Sequence, residues 1–156
     1  MSSSTRSSDA TEAVLLSSRA LLGIVARSLA PAHDQVSVPQ FRVLVLLSVQ
    51  SPQRSGELAE RIGVHPSTFT RMADRLVAGG WVERTENPHS RREVLVGLTA
   101  AGEELVRSVH QRRREEIDAV LRRLPPADRK AVLAGFELFA RAAGEPTPEE
   151  ISTLGT

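Results

Sequence analysis

The chain has 156 residues, 40% apolar and 25% charged, a size and balance that suit one globular domain with its own core. It contains no cysteine, which excludes disulfides, thiolate metal sites and any switch based on cysteine oxidation. The formal net charge is only +1, so any polyanion-binding surface has to come from the placement of charges rather than from their sum.

Taken in chain order, residues 1–8 are serine-rich and are expected to be a disordered tail, lacking the apolar core of a signal peptide. No stretch is expected to approach the roughly 18 apolar residues of a membrane span, which points to a cytoplasmic protein with no membrane partner. A first helix near Asp9 to Leu29 carries the stripe Val14, Leu21, Leu22, Val25 and Leu29. Gln40 to Val49 gives a second, rich in Phe41, Val43, Leu44, Val45, Leu46 and Leu47. Ser55 to Ile62 reads as a short helix burying Leu58, Ala59 and Ile62, with Gly63 as its C-cap and Gly63-Val64 as the turn.

Pro66 suits the first position of the next helix, which runs to Ala78 and stops at Gly79-Gly80. Trp81 to Arg84 alternates as a strand, Thr85 to Arg92 is a polar loop, and Glu93 to Leu98 alternates again, so the two strands form a hairpin. Its tip carries Asn87, Pro88, His89, Ser90, Arg91 and Arg92. Thr99 can cap a long helix from Ala100 to Leu124, about 37 Å by helical rise. Pro125-Pro126 breaks it, and Ala127 to Ala143 forms a last helix with Val132, Leu133, Phe136, Leu138 and Phe139. From Gly144 to Thr156 a flexible tail is expected. The expected architecture is mainly α with a small β-hairpin wing: a winged helix-turn-helix over about residues 38–99, within a domain spanning 9–143.

The helix from Pro66 to Ala78 has two chemically different faces. Phe69, Met72, Ala73 and Leu76 fall on one stripe, with Val77 at its border. Opposite lie Ser67, Arg71 and Asp74, flanked by Thr68, Thr70 and Arg75. Serine and threonine are mediocre helix formers whose hydroxyls serve phosphates and base edges, and arginine adds a fork that fits guanine or phosphate. By itself such a face is also what a solvated surface helix shows. Context favours DNA: a short helix, a tight turn and a hairpin surround it. Arg91 and Arg92 at the hairpin tip can reach a minor groove or simply be solvated. Between residues 55 and 99, Arg61, Arg71, Arg75, Arg84, Arg91 and Arg92 are balanced by Glu57, Glu60, Asp74, Glu83, Glu86 and Glu93, so placement carries the inference.

The run from Gly56 to Arg84, followed by Pro88, Arg91-Arg92 and the helix start Leu98-Thr99-Ala100-Ala101-Gly102, closely resembles the MarR family of bacterial transcription regulators. The resemblance covers roughly residues 10 to 143. It implies a homodimer that binds a pseudo-palindromic double-stranded DNA operator, usually as a repressor released by a small ligand or by oxidation. Carried over by position, Ser67, Thr68, Thr70 and Arg71 resemble the major-groove readers and Arg92 the wing arginine. Arg75 and Arg91 sit beside them as further DNA-binding candidates. Two positions depart from the family's pattern: Ser90 stands where an aspartate usually lies two residues before the wing arginine, and His65 stands where a serine usually caps the recognition helix.

The helices at about 9–30 and 100–143 could form the all-helical core of one monomer, but they exceed what a small winged domain can cover, so an intersubunit bundle is expected. On the long helix Val106, Val109, Ile117, Val120 and Leu124 form a stripe with Arg113 at its centre. A guanidinium on an apolar face needs a partner. Two roles are open for it: a structural ion pair, with Glu116 or with a carboxylate of the other subunit, or a counter-ion for a small organic anion, the effector site that the resemblance implies. Arg42 is a second ligand-binding candidate. His33, His65, His89 and His110 lie on different elements, so no metal or other cofactor is expected, and nothing resembles a nucleophile with its base. The alternatives to a ligand-responsive regulator are a winged-helix protein-interaction module without DNA binding and, third, an enzyme.

Overall fold

In the computed structural model, residues 2–32, 34–88 and 90–144 are described, with side chains for 8–32, 34–88, 90 and 93–144. Helix α1 (Ser2–Leu29) ends in a 3-10 turn at Ala30–Ala32. Next come α2 (Val38–Val49), β1 (Gln53–Arg54), α3 (Ser55–Ile62), α4 (Pro66–Ala78), β2 (Val82–Asn87), β3 (Ser90–Leu98), α5 (Ala100–Leu121) and α6 (Pro126–Ala142). The strands make one antiparallel sheet in the order β1-β3-β2, with Gln53 opposite Val96 and Val82 opposite Leu98.

Several boundaries correct the sequence reading. Residues 2–8, expected as a disordered tail, continue α1 as helix; serine is a tolerable helix former and no proline or glycine interrupts the run. The expected tail beyond Gly144 falls on residues outside those described. The polar loop expected over Thr85 to Arg92 is mostly strand, because backbone pairing continues through exposed polar residues to a bulge at Glu86/Asn87. The short strand β1 carries no alternation that a pattern could reveal. Helix α5 ends three residues before Leu124, and Pro126 occupies the first turn of α6. Finally, Ser8–Ala32 is long and apolar enough to cross a membrane by length and composition, contrary to the expectation that no such stretch exists. Its alanines and leucines raise the hydropathy, but Ile24, Ser28 and Leu29 are buried against the rest of the chain.

The core joins α1, α2, α3, α4, β2, β3 and α5 through Leu29, Phe41, Leu44, Leu47, Leu58, Phe69, Leu76, Val82, Val96, Val106 and Val109. Ser37 and Gln40 form a reciprocal capping box at the start of α2. Outside this core the chain keeps a second apolar surface. Leu15, Leu16 and Leu22 of α1 and Leu133, Phe136, Leu138 and Phe139 of α6 are exposed, and no residue of α6 is buried. Between α1, α5 and α6 lies an open cleft of about 460 Å³ lined by Leu21, Ile24, Ile117, Val120, Leu133 and Phe136 among others.

One junction ties these parts to the winged helix-turn-helix. Thr99 caps α5 by accepting from the Gly102 N–H at 3.1 Å, while its hydroxyl donates to the Gly80 carbonyl at 2.7 Å and its N–H to the Trp81 carbonyl at 3.2 Å. Gly102 sits so close to the Trp81 backbone that a Cβ would lie 2.2 Å from its carbonyl oxygen. The end of α4, the base of the wing and the start of α5 therefore meet at one backbone contact.

Candidate nucleic-acid interface

The helix pair α3–α4 is set by its turn. Gly63 adopts φ +72°, a left-handed conformation that favours glycine, and its N–H closes α3 onto the Ala59 and Glu60 carbonyls. His65 then takes the N-cap of α4. Its Nδ1 accepts from the Ser67 N–H at 3.3 Å and lies 2.8 Å from Ser67 Oγ, so the imidazole fills the capping role usually taken by a small hydroxyl or carboxamide. With Nδ1 accepting from the backbone, the Ser67 hydroxyl donates to the same atom.

Both faces of α4 fall as the periodicity implies. Phe69, Ala73 and Leu76 are buried and Met72 is half-buried, whereas Ser67, Thr68, Thr70, Arg71 and Arg75 are exposed. Thr70 donates its hydroxyl proton to the Pro66 carbonyl at 3.0 Å, which leaves that oxygen as an acceptor toward an approaching group. Arg71 and Arg75 make no ion pair or hydrogen bond among the described residues, so both guanidinium charges are uncommitted.

Asp74, on the same stripe as Ser67 and Arg71, is committed. Arg84 of β2 reaches its Oδ1 with Nη1 at 2.5 Å and donates from Nη2 to the Thr70 carbonyl at 3.0 Å. Sequence reasoning placed Arg84 at the end of a strand and in the charge balance, without a partner. The signal that could have exposed its role is a lone carboxylate on a face otherwise made of hydroxyls and arginines.

Beyond Arg84 the wing extends as β2 and β3. Asn87 Nδ2 donates to Glu93 Oε2 at 2.7 Å beside the bulge, and Arg54 lies 3.6 Å from the same carboxylate. Arg91 and Arg92 belong to β3 near the hairpin tip, but their side chains, and all of His89, lie outside the described residues.

The two ligand candidates are not joined by a hydrogen bond or an ion pair. Arg42 is exposed on α2. Arg113 is half-buried on α5, its Nε fully buried without a hydrogen-bond partner, and burial lowers its pKa from the ordinary arginine value. Glu116, an expected partner, pairs through Oε2 with Arg27 of α1, and no ion pair between it and Arg113 is present among the described residues. One turn earlier, His110 meets the Phe41 ring edge-on at 6.2 Å; its pKa is lowered by burial, then by the charges of Arg113 and Arg114.

Comparison with known proteins agrees with this geometry. Residues 36–94 match the MarR family. The multiple antibiotic resistance protein MarR of Escherichia coli (strain K12) is 36% identical over 98 residues, covering 63% of this chain and 68% of that protein. The crystal structure of RV1404 from Mycobacterium tuberculosis superposes with a TM-score of 0.82 at 40% identity, covering 90% of this chain and 96% of the other. NadR in complex with 4-hydroxyphenylacetate does so at 0.64 and 25%, covering 84% and 89%.

Proposed function

The chain belongs to the MarR family of transcriptional regulators, and we propose that it acts in the cytoplasm as a homodimeric repressor that binds a pseudo-palindromic operator and is released by a small organic anion. The observation that carries the DNA reading is the exposed face of α4. Ser67, Thr68, Thr70, Arg71 and Arg75 are presented on a capped, rigid helix with both arginines uncommitted. Arg71 is assigned to a base edge, and Arg91 and Arg92 to the phosphates or minor groove beside the wing.

The dimer is supported by the apolar surface of α1 and α6, a combination that a monomer rarely leaves in water. A second copy covering the cleft between α1, α5 and α6 would remove it. An interaction module that had lost DNA binding would be expected to show such residues on α4, and there only Val77, at the border of the buried stripe, is a large exposed apolar side chain.

For the effector, Arg113 is the residue of choice, because a buried guanidinium Nε without an acceptor is satisfied by an incoming carboxylate. The aromatic acid bound by NadR is of that chemical class. Arg42 is the second cation assigned to this role. Release requires the ligand to favour a dimer whose recognition helices no longer match the groove spacing.

The test is selection of duplexes from a randomised pool by the full chain. Enrichment of a two-fold-related sequence supports the reading; a pool with no enriched sequence overturns it.

A further inference from the structure

A carboxylate on a surface that meets phosphates is a liability. Asp74 lies three residues after Arg71 and seven after Ser67, hence on the same exposed stripe of α4. Unpaired, it would repel the duplex that this stripe is proposed to read. Arg84 neutralises it from the neighbouring strand at 2.5 Å. Charge compensation alone would need a single contact, yet the guanidinium makes a second, from Nη2 to the Thr70 carbonyl. Thr70 and Asp74 are one helical turn apart, so the planar fork grips α4 at two levels and opposes both rotation and sliding of the helix.

The wing packs into the core on its inner side, through Val82 and Val96 beside Phe69 and Leu76 of α4; its outer side is held differently. The turn through Gly79-Gly80 joins the helix to β2 covalently at one end. On the outer side, α3, α4 and the wing enclose an open cleft of about 540 Å³, lined by Arg54, Glu57, Glu60, Thr70, Arg84 and Glu93. The fork crosses at this cleft. Its side chains are partly exposed, 31% for Arg84 and 57% for Asp74, so the pair contributes little to global stability.

We propose that Arg84 is a positioning residue for sequence readout: its bidentate grip on Asp74 and the Thr70 carbonyl locks the wing and the recognition helix into one body, so that Arg71 and the wing arginines address the duplex at a fixed spacing. This rests on the DNA-binding reading above. Losing the grip leaves the charges that bind any duplex in place and blurs the register that distinguishes one sequence from another.

The experiment compares the full chain with Arg84→Gln, Arg84→Lys and Asp74→Asn. Each is titrated by fluorescence anisotropy against a duplex that the wild type enriches from a randomised pool and against a scrambled duplex of the same composition, with melting temperatures in parallel. Asp74→Asn and Arg84→Gln should each lower the preference for the selected duplex about tenfold. Asp74→Asn should not weaken binding to the scrambled duplex, since it removes a negative charge, and melting temperatures should stay within about 2 °C of wild type. Arg84→Lys, which keeps the charge and loses the fork, should recover less than half of the preference in free energy. If the wild type prefers its selected duplex and Asp74→Asn and Arg84→Gln retain that preference, the positioning role is wrong while the DNA reading stands. Complete rescue by Arg84→Lys would reduce the role to charge compensation. A wild type that enriches no duplex overturns both.

Discussion

Arg27 of α1 and Glu116 of α5, 89 positions apart, meet through a contact of 2.7 Å from both Nε and Nη2 of the guanidinium to one carboxylate oxygen. One turn back on the same helix, the Arg113 Nε is buried without an acceptor, while Glu116 Oε2 is directed to Arg27. Arg113→Met keeps much of the side chain's volume and deletes the charge. The variant should keep its operator affinity and a melting temperature at or above wild type, because an unsatisfied buried donor costs about 1–3 kcal/mol. DNA release by an aromatic carboxylic acid should be lost. A variant that is destabilised but fully responsive would assign Arg113 to a structural ion pair across the dimer instead.

Folding disfavours the charged form of His110, through burial against Phe41 and the cations Arg113 and Arg114. Its folded pKa lies below its unfolded one, so the unfolded chain binds the proton more readily and stability falls as pH drops below about 6.5. Melting temperatures of the wild type and His110→Asn between pH 8 and 5 check this. The wild type should lose more on acidification than the variant, and parallel curves would show that His110 contributes nothing to the acid sensitivity.

The contact between Gly102 and the Trp81 backbone leaves no room for a methyl group. Gly102→Ala should therefore cost about 1–3 kcal/mol through displacement of the α5 start from the wing base. Thr99→Ala removes the cap and the bond to the Gly80 carbonyl, at a cost of about 0.5–2 kcal/mol. Urea denaturation of both variants measures this, and a Gly102→Ala protein as stable as wild type would show that the junction yields freely.

Much of the helical frame was legible in the sequence for physical reasons that differ by element. Helix α4 begins at Pro66 and ends at Ala78 as read, because a fixed-φ residue opens it and paired glycines close it. Arg113 stood out because a charge at the centre of an apolar stripe breaks a periodic pattern. The wing was read too short, since backbone pairing through Thr85, Glu86 and Asn87 needs no side-chain alternation. Both Arg84–Asp74 and Arg27–Glu116 escaped notice, because pairs 10 and 89 positions apart are set by tertiary placement rather than by local spacing. His65 was a departure whose outcome only geometry could give: the imidazole supplies the cap itself.

Arg71 and the wing arginines should differ in what they contribute. Arg71→Ala is expected to weaken binding to the selected duplex by about 1–3 kcal/mol and to relax the preference at one base pair, whereas Arg92→Ala should lower affinity evenly across sequences and reduce the salt slope by about one. Affinities measured over a range of salt separate the two. Equal salt slopes for wild type and Arg92→Ala would count against wing contact, and an Arg71→Ala protein with unchanged sequence preference would place Arg71 on a phosphate.

The most direct measurement of the central claim is a hydroxyl-radical footprint of the full chain on the duplex it selects. A dimer presenting two copies of α4 in successive major grooves protects two symmetric half-sites whose centres lie about 10 bp apart or a multiple of that spacing. Protection of one unpaired half-site, or a footprint without two-fold symmetry, would contradict it.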